Sequence, residues 1–275
     1  MLGKYLDNLR KRGALIHNIT NYVTVNDIAN ALLAINASPI MADSEKEVED
    51  IVSISDGLTI NIGTLNDRTV NAMIKAGKKA SDLGKIIVLD PVGAGASKFR
   101  TETAEKLIEE IDFDIIRGNI SEIKTLYKGE GKTKGVDADI SEKITEENLE
   151  DIVSFAKELS KKLKTIIVIT GKIDIIADDK YAYLVRNGNP NMSSITGTGC
   201  ILSSIINAFV SANTEEKDRL KVVTAAVVAM GIAGEIGYKN LLENEGNSTY
   251  RNRLIDALYN MNGSVLDEYA NYENF

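Results

Sequence analysis

Short apolar runs and amphipathic stretches alternate along the chain. Runs rich in β-branched residues are typical of buried strands, whereas apolar positions that recur every three or four residues predict helices. The predicted strands cover residues 14–20, 38–42, 57–63, 85–90, 113–117, 165–170, 174–177 and 181–186. The predicted helices cover residues 24–35, 44–54, 65–83, 101–111, 121–127, 145–163, 219–238 and 251–270, with a further helix after a turn at 196–199.

This alternation predicts an α/β fold with a mostly parallel sheet covered by helices on both faces. The continuous apolar run at 85–90 is typical of a strand buried on both faces, as parallel sheets require. Residues 174–186 instead predict an antiparallel hairpin that turns at 178–180. No internal repeat or linker interrupts the pattern, so residues 1–275 are predicted to form one domain.

The turn at 196–199 contains two glycines and leads directly into an apolar helical pattern. Gly197 and Gly199 have no Cβ, so the backbone there can adopt left-handed angles and approach a ligand closely. The first N–H groups of a helix have no partner within it, and the helix dipole makes that end attractive to anions. The turn therefore predicts a phosphate site.

Cys200, the only cysteine, lies at or beside the first turn of that helix. A helix N-terminus shifts a thiol, whose ordinary pKa is about 8.5, toward the thiolate. A thiolate there could orient or deprotonate an attacking alcohol. A free cysteine at the start of an apolar helix is also typical of a small buried hydrophobic residue, and this stretch alone leaves both interpretations open.

Two common nucleotide-binding motifs are absent from the sequence. The dinucleotide fingerprint GxGxxG requires a third glycine where Leu202 stands. Residues 131–133 resemble the end of a P-loop, but Leu126 occupies the position of its first glycine and no strand leads into it. The lysine-containing run 128–134 is interpreted as a solvated loop.

The composition favours small-molecule partners. The chain has 32 Lys and Arg against 40 Asp and Glu, a formal net charge of −8, without basic clusters. This charge disfavours binding to nucleic acid or to an anionic membrane surface. One cysteine excludes an internal disulfide, and the single histidine, His17, disfavours a histidine-based zinc site. Any metal is therefore expected to be a hard ion such as Mg²⁺, held by carboxylates and phosphates.

The sequence contains no segment that indicates export or membrane insertion. Residues 1–13 lack the apolar core of a secretory signal. The longest apolar run, 222–234, is shorter than the roughly 20 residues that a membrane span requires. We expect a soluble, cytoplasmic protein.

Three polar side chains follow predicted strands. Asp90 begins Asp-Pro-Val-Gly-Ala-Gly, Arg117 begins Arg-Gly-Asn-Ile-Ser-Glu, and Thr170 begins Thr-Gly-Lys. Ligands of open α/β sheets bind beyond the carboxyl ends of the strands. Each residue alone could be a turn or surface-pairing residue, but together they favour a nucleotide site.

Twelve segments in the same order resemble the hydroxyethylthiazole kinases of thiamine biosynthesis, within the ribokinase-like superfamily. They are HNITNYVTVN (17–26), ALLA (31–34), ASPIMAD (37–43), NIGTL (61–65), LDPVG (89–93), FRTET (99–103), IRGN (116–119), KGVD (134–137), ITG (169–171), TGTGC (196–200), GIAGE (231–235) and DALY (256–259). The resemblance implies a three-layer α/β/α fold. It also implies transfer of the γ-phosphoryl group of ATP to the primary alcohol of 4-methyl-5-(2-hydroxyethyl)thiazole.

The resemblance also implies roles for individual residues. Met41 and Gly197 would contact the thiazole, and Arg117 and Thr170 the nucleotide. Cys200 stands where most ribokinase-like kinases have a catalytic aspartate, and would be the general base or the group that orients the hydroxyl.

A metal site and an assembly follow from the same resemblance. Asp90 and Glu122 would hold Mg²⁺, directly or through water. A homotrimer is implied, with active sites at subunit interfaces where the HNITN and PIMAD segments meet a neighbouring subunit.

Two alternatives stay open at this point. One is a sibling kinase that acts on hydroxymethylpyrimidine or pyridoxal, although such kinases usually have Asp at the position of Cys200. The other is a non-catalytic ligand-binding relative.

The chain also departs from the family pattern at 187–190, where Asn-Gly-Asn-Pro replaces Asn-Gly-His-Pro, and at 245–250, which lacks the usual proline.

Overall fold

The computed structural model describes residues 1–128 and 144–275. Its strands are β1 (Leu15–Ile19), β2 (Ser38–Ile40), β3 (Gly57–Asn61), β4 (Ile86–Asp90), β5 (Ile115–Asn119), β6 (Ile166–Thr170), β7 (Asp174–Ala177), β8 (Ala182–Val185) and β9 (Tyr272–Asn274). Its helices are α1 (Gly3–Arg12), α2 (Val25–Ala34), α3 (Val48–Ile54), α4 (Asp67–Asp82), α5 (Lys98–Glu110), α6 (Ile120–Lys128), α7 (Leu149–Leu163), α8 (Thr198–Ala212), α9 (Arg219–Lys239), α10 (Asn247–Asn260) and α11 (Gly263–Tyr269). Lys132, Lys134 and the KGVD segment lie outside the described residues.

Within the described residues, the strands form one sheet in the order β2-β1-β3-β4-β5-β6-β7-β8-β9. All pairs from β2 through β6 are parallel. The β6–β7, β7–β8 and β8–β9 pairs are antiparallel, which confirms the predicted hairpin. The parallel arrangement brings the carboxyl ends of β3, β4, β5 and β6 to one edge of the sheet.

Helices cover both faces of the sheet, which confirms the predicted α/β architecture. Along β4, Val88 belongs to the apolar cluster formed with α1, α2, α8, α9 and α10. Its neighbours Ile87 and Leu89 belong to the opposite cluster, formed with α3 to α7. Because successive strand residues point to opposite faces, this assignment explains why every residue of β4 is buried.

Helix α9 is the central helix of its layer. By length and composition it could cross a membrane, which differs from the expectation drawn from the shorter run 222–234. However, 83% of its most apolar 18-residue window is buried inside the protein. Apolar residues on all sides of a helix are also what a buried core helix requires, and α9 packs between α8 and α10.

The two ends of the chain differ from the prediction. Helix α1 was not predicted, although Tyr5, Leu6 and Leu9 form a buried face on it. The predicted helix 251–270 is two helices, because Met261 is extended and the side chain of Asn262 caps α11 by accepting from Val265 N at 3.0 Å. Strand β9 was also not predicted; it pairs with β8 at the edge of the sheet.

Candidate active site

Asp90 lies at the centre of the carboxyl edge of the sheet. It is the last residue of β4, is fully buried, and stands in register with Asn61 at the end of β3. Its Oδ2 accepts hydrogen bonds from Asn61 Nδ2 (2.8 Å) and Ser203 Oγ (2.9 Å). Its Oδ1 has no hydrogen-bond partner among the described residues. One carboxylate oxygen is therefore fixed and the other is available.

The charge of Asp90 is balanced only in part. Arg117 Nη1 lies 3.5 Å from the free Oδ1. Burial nevertheless raises the pKa of Asp90 to about 6, an effect that Arg117 opposes and the nearby Glu122 increases. A desolvated carboxylate with one open oxygen favours a second cation or a proton at this position.

Arg117 connects Asp90 to the next strand and to α8. Its Nη2 donates to Thr170 Oγ1 at 2.6 Å, and a Cβ at Gly199 would collide with the guanidinium group. The structure thus brings Asp90, Arg117, Thr170 and the start of α8 together, as the strand-end pattern predicted. A guanidinium beside a helix N-terminus is suited to the oxygens of a phosphate.

Of the two glycines predicted to adopt left-handed angles, only Gly197 does so, because Gly199 lies inside α8. Gly197 has φ 86° and is the N-cap of α8, and a Cβ there would collide with the methyl group of Thr24. Ile201 N makes the first hydrogen bond within the helix, to Gly197 O at 2.9 Å. The amides of residues 198–200 precede that bond, so they are positioned to donate to a ligand.

Cys200 lies in the first turn of α8 and is 8% exposed. Its Sγ accepts from Asn21 Nδ2 at 3.4 Å. Burial raises the pKa of the thiol above its ordinary value, and the charge of Asp90 adds to this, while the amides of Asn61 and Asn21 oppose it. The prediction that the pKa of this thiol is shifted toward the thiolate was therefore wrong for the free protein, because desolvation and the charge of Asp90 raise it.

Glu122, the second residue predicted to hold a metal, fixes two segments of backbone. Its Oε1 accepts from Gly93 N and its Oε2 from Asn119 N, both at 2.8 Å. Gly93 belongs to the turn after β4, so Glu122 lies close to Asp90 and shapes the same edge of the sheet.

No group of three or more His, Cys, Asp or Glu side chains in residues 1–128 and 144–275 forms a metal cage. The open, buried Oδ1 of Asp90, with Glu122 nearby, nevertheless fits an ion such as Mg²⁺, which keeps several waters and uses one or two carboxylates together with substrate phosphates.

A cleft of about 720 Å³ opens beside Arg117 and Thr170. Gly199 and the apolar side chains of Leu202 and Met230 form part of its wall. The cleft therefore combines a cationic end with an apolar surface, which suits a nucleotide.

The loop at 187–190, which also lines the cleft, is held by Glu235. Glu235 Oε1 accepts from Gly188 N at 2.7 Å and from Asn187 Nδ2 at 3.2 Å. Gly231 allows α9 to approach Asn187, since a Cβ there would collide with it. The GIAGE segment thus positions the loop at 187–190; the only signal for it in the sequence was the family resemblance.

Met41 is the second residue predicted to contact the thiazole. It follows β2, is partly buried, and packs against the apolar cluster that contains Cys200. It is not among the described residues that line the cleft. The adjacent Ala42 O lies 2.7 Å from Nε2 of the buried His17, which fixes this segment to β1.

Comparison with known proteins places the chain among a group of kinases. The model of the Hydroxyethylthiazole kinase family matches residues 6–264. A hydroxyethylthiazole kinase of Clostridium acetobutylicum is 56% identical over 275 residues, covering 100% of both chains. The solved structure of a hydroxyethylthiazole kinase protein from Pyrococcus horikoshii OT3 has a TM-score of 0.87 and 35% identity, over 100% of this chain and 98% of that chain. A ribokinase-like superfamily protein of Enterococcus faecalis V583 is 16% identical with a TM-score of 0.59, over 97% of this chain and 89% of its own, and shows the fold alone.

Proposed function

The chain belongs to the hydroxyethylthiazole kinase family, and we propose that the site at the end of β4 performs the reaction for which the family is named. The protein transfers the γ-phosphoryl group of ATP to the primary hydroxyl of hydroxyethylthiazole, a step of thiamine salvage and thiamine diphosphate synthesis. The observation that carries the proposal is the convergence of Asp90, Arg117, Thr170 and Cys200 at the N-terminus of α8.

The nucleotide is assigned to the cleft of about 720 Å³. Arg117 and Thr170 bind its phosphates, and the apolar surface of Leu202 and Met230 accommodates the base. The amides at the start of α8 then face the transferred group, where they stabilise the charge that spreads over its oxygens.

Asp90 and Glu122 are assigned to Mg²⁺. The support is the open Oδ1 of Asp90, whose pKa burial raises to about 6, so that a cation would relieve an unfavourable buried charge. When bound, the ion would neutralise charge on the phosphates.

The thiazole is assigned to the Met41 side of Cys200. Met41 offers a polarisable contact for an aromatic ring, and Gly197 permits close approach at the turn. The hydroxyl then lies beside Cys200 Sγ. Because the pKa of this thiol is raised, orientation of the hydroxyl fits the free protein better than proton abstraction by a preformed thiolate.

The reaction is tested by ADP release from ATP and Mg²⁺ with hydroxyethylthiazole, hydroxymethylpyrimidine, pyridoxal or ribose as acceptor. We expect release that is selective for the thiazole and that stops when EDTA removes the metal. Preference for another acceptor would support a sibling kinase and require a new assignment of the Met41 side. ATP binding without turnover on any acceptor would support the non-catalytic alternative.

A homotrimer with active sites at its interfaces is part of the proposal. Tyr22 and Val23 are 75% and 61% exposed, and they directly precede Thr24, which meets Gly197 at the site. Apolar side chains this exposed beside a site favour cover by another subunit. Sedimentation equilibrium of the full chain should give three times the monomer mass of 29.9 kDa, and a monomer with full activity would contradict the shared site.

Domain organisation and location complete the proposal. A single domain over residues 1–275 is supported by the continuous sheet that runs from β2 to β9. A cytoplasmic location is supported by the chemistry of the site, because ATP is available there and a free thiol such as Cys200 stays reduced.

A further inference from the structure

Two buried amides connect Asp90 to Cys200. Asn21 follows β1 and is 4% exposed; Asn61 ends β3 and is 2% exposed. Asn21 Nδ2 donates to Asn61 Oδ1 at 3.0 Å and to Cys200 Sγ at 3.4 Å. Asn61 Nδ2 in turn donates to Asp90 Oδ2 at 2.8 Å. A continuous chain of hydrogen bonds therefore runs between the carboxylate and the thiol.

Backbone N–H groups fix the orientation of both amides in this chain of hydrogen bonds. Gly63 N donates to Asn61 Oδ1 at 2.9 Å, so the amide nitrogen of Asn61 must face Asp90. Thr24 N donates to Asn21 Oδ1 at 3.2 Å, so the amide nitrogen of Asn21 must face Cys200. Because a backbone N–H can only donate, rotating either amide by 180° would place two donors or two acceptors together.

This chain of hydrogen bonds determines which atoms of Asp90 and Cys200 are available to ligands. With Oδ2 of Asp90 occupied by Asn61, only Oδ1 remains for Arg117 and a cation. With Asn21 donating to the sulfur, the thiol of Cys200 is held at one position in the first turn of α8. Fixed positions of this kind reduce the reorganisation needed at the transition state.

We propose that Asn21 and Asn61 are positioning residues, which hold the thiol of Cys200 in fixed relation to the carboxylate of Asp90. The inference rests on the proposed phosphoryl transfer. When Asn21 is lost, Asn61 Oδ1 still accepts from Gly63 N, so the amide of Asn61 keeps its orientation toward Asp90. Removing the amide of Asn21 should therefore matter only while the thiol is present.

A double-mutant cycle tests this dependence. Asn21→Leu keeps the approximate volume of the side chain but removes the donor. We expect its kcat to fall roughly 5- to 30-fold, the value of one hydrogen bond, while KM for ATP stays within about threefold. In the Cys200→Ala background, the same change should lower the residual kcat by less than about twofold.

Asn207→Leu is the matched control. Asn207 is also a buried asparagine, two turns beyond Cys200 in α8, and its Nδ2 donates to Thr59 Oγ1 at 3.1 Å. Its loss should lower stability to a similar extent and leave kcat nearly unchanged. If Asn21→Leu does not fold, Asn21→Asp, which has the same size and retains the acceptor for Thr24, replaces it in the cycle.

The outcomes separate this inference from the proposed function. An equal fall of kcat from Asn21→Leu with and without the thiol would overturn the positioning role while the kinase assignment stands. An equal effect of Asn207→Leu would overturn it as well. Absence of thiazole phosphorylation by the unmodified protein would instead overturn the proposed function.

Discussion

Asp90→Asn should lower kcat by about a thousandfold or more and, at pH 8, make the folded protein more stable. The activity falls because an amide cannot neutralise a cation or balance Arg117 as the carboxylate does, and electrostatic stabilisation is the largest contribution to phosphoryl transfer. The stability rises because a fully buried charge with an open oxygen is removed. Steady-state kinetics and urea unfolding of the same preparations measure both effects.

The gain in stability should depend on pH in a definite direction. The pKa of Asp90 is raised from 3.8 to about 6, so the folded state binds this proton more tightly than the unfolded chain. The destabilisation is therefore complete above pH 6 and disappears as the pH falls toward 3.8. Its upper limit is about 3 kcal/mol, and the advantage of the variant should shrink by about 1.4 kcal/mol between pH 8 and pH 5.

Asp114→Asn is the control for this prediction. Asp114 lies before β5 at the other end of the strands, where Oδ2 accepts from Ile87 N (2.9 Å) and Oδ1 forms an ion pair with Arg219. Both oxygens have partners, so its replacement should reduce stability and leave kcat unchanged. A similar gain in stability from both variants, or an advantage of Asp90→Asn that does not change with pH, would contradict the assignment to a buried charge.

The sheet and the strand-end residues could be predicted because their signals are local. The run at 85–90 is apolar at every position, and this is also why both faces of β4 are buried. Parallel strands place their carboxyl ends at one edge, so Asp90, Arg117 and Thr170 could be grouped without coordinates. Helix α1 was not predicted, although its signal is also local: Tyr5, Leu6 and Leu9 recur at helical spacing and form its buried face.

The properties of the site that depend on distant parts of the chain could not be predicted. Asn21, Asn61 and Cys200 are far apart in sequence, and no local pattern indicates that their side chains meet. The pKa of Cys200 could not be predicted from local sequence either. Its helix position predicts a downward shift, but burial and Asp90, which only the folded chain supplies, raise it.

Cys200→Ala should lower kcat by about 10²- to 10⁴-fold with little change in KM for ATP. Arg117 and Thr170, the residues assigned to the nucleotide, contact each other rather than the sulfur, so the nucleotide site should survive the loss of the thiol. Initial rates with each substrate varied in turn measure the two constants. An unchanged kcat would mean that Cys200 is only a small apolar residue of the core, and the kinase assignment would remain.

Cys200→Ser separates the two roles that the thiol could have. A serine hydroxyl can still accept from Asn21 and orient the substrate hydroxyl, but its high pKa makes it a poor base. If orientation is the main contribution, Cys200→Ser should retain most of the activity that Cys200→Ala loses. If proton abstraction dominates, the two variants should be equally slow. The raised pKa of the thiol leads us to expect the first result, because the neutral group that predominates in the free protein can orient a hydroxyl without ionising.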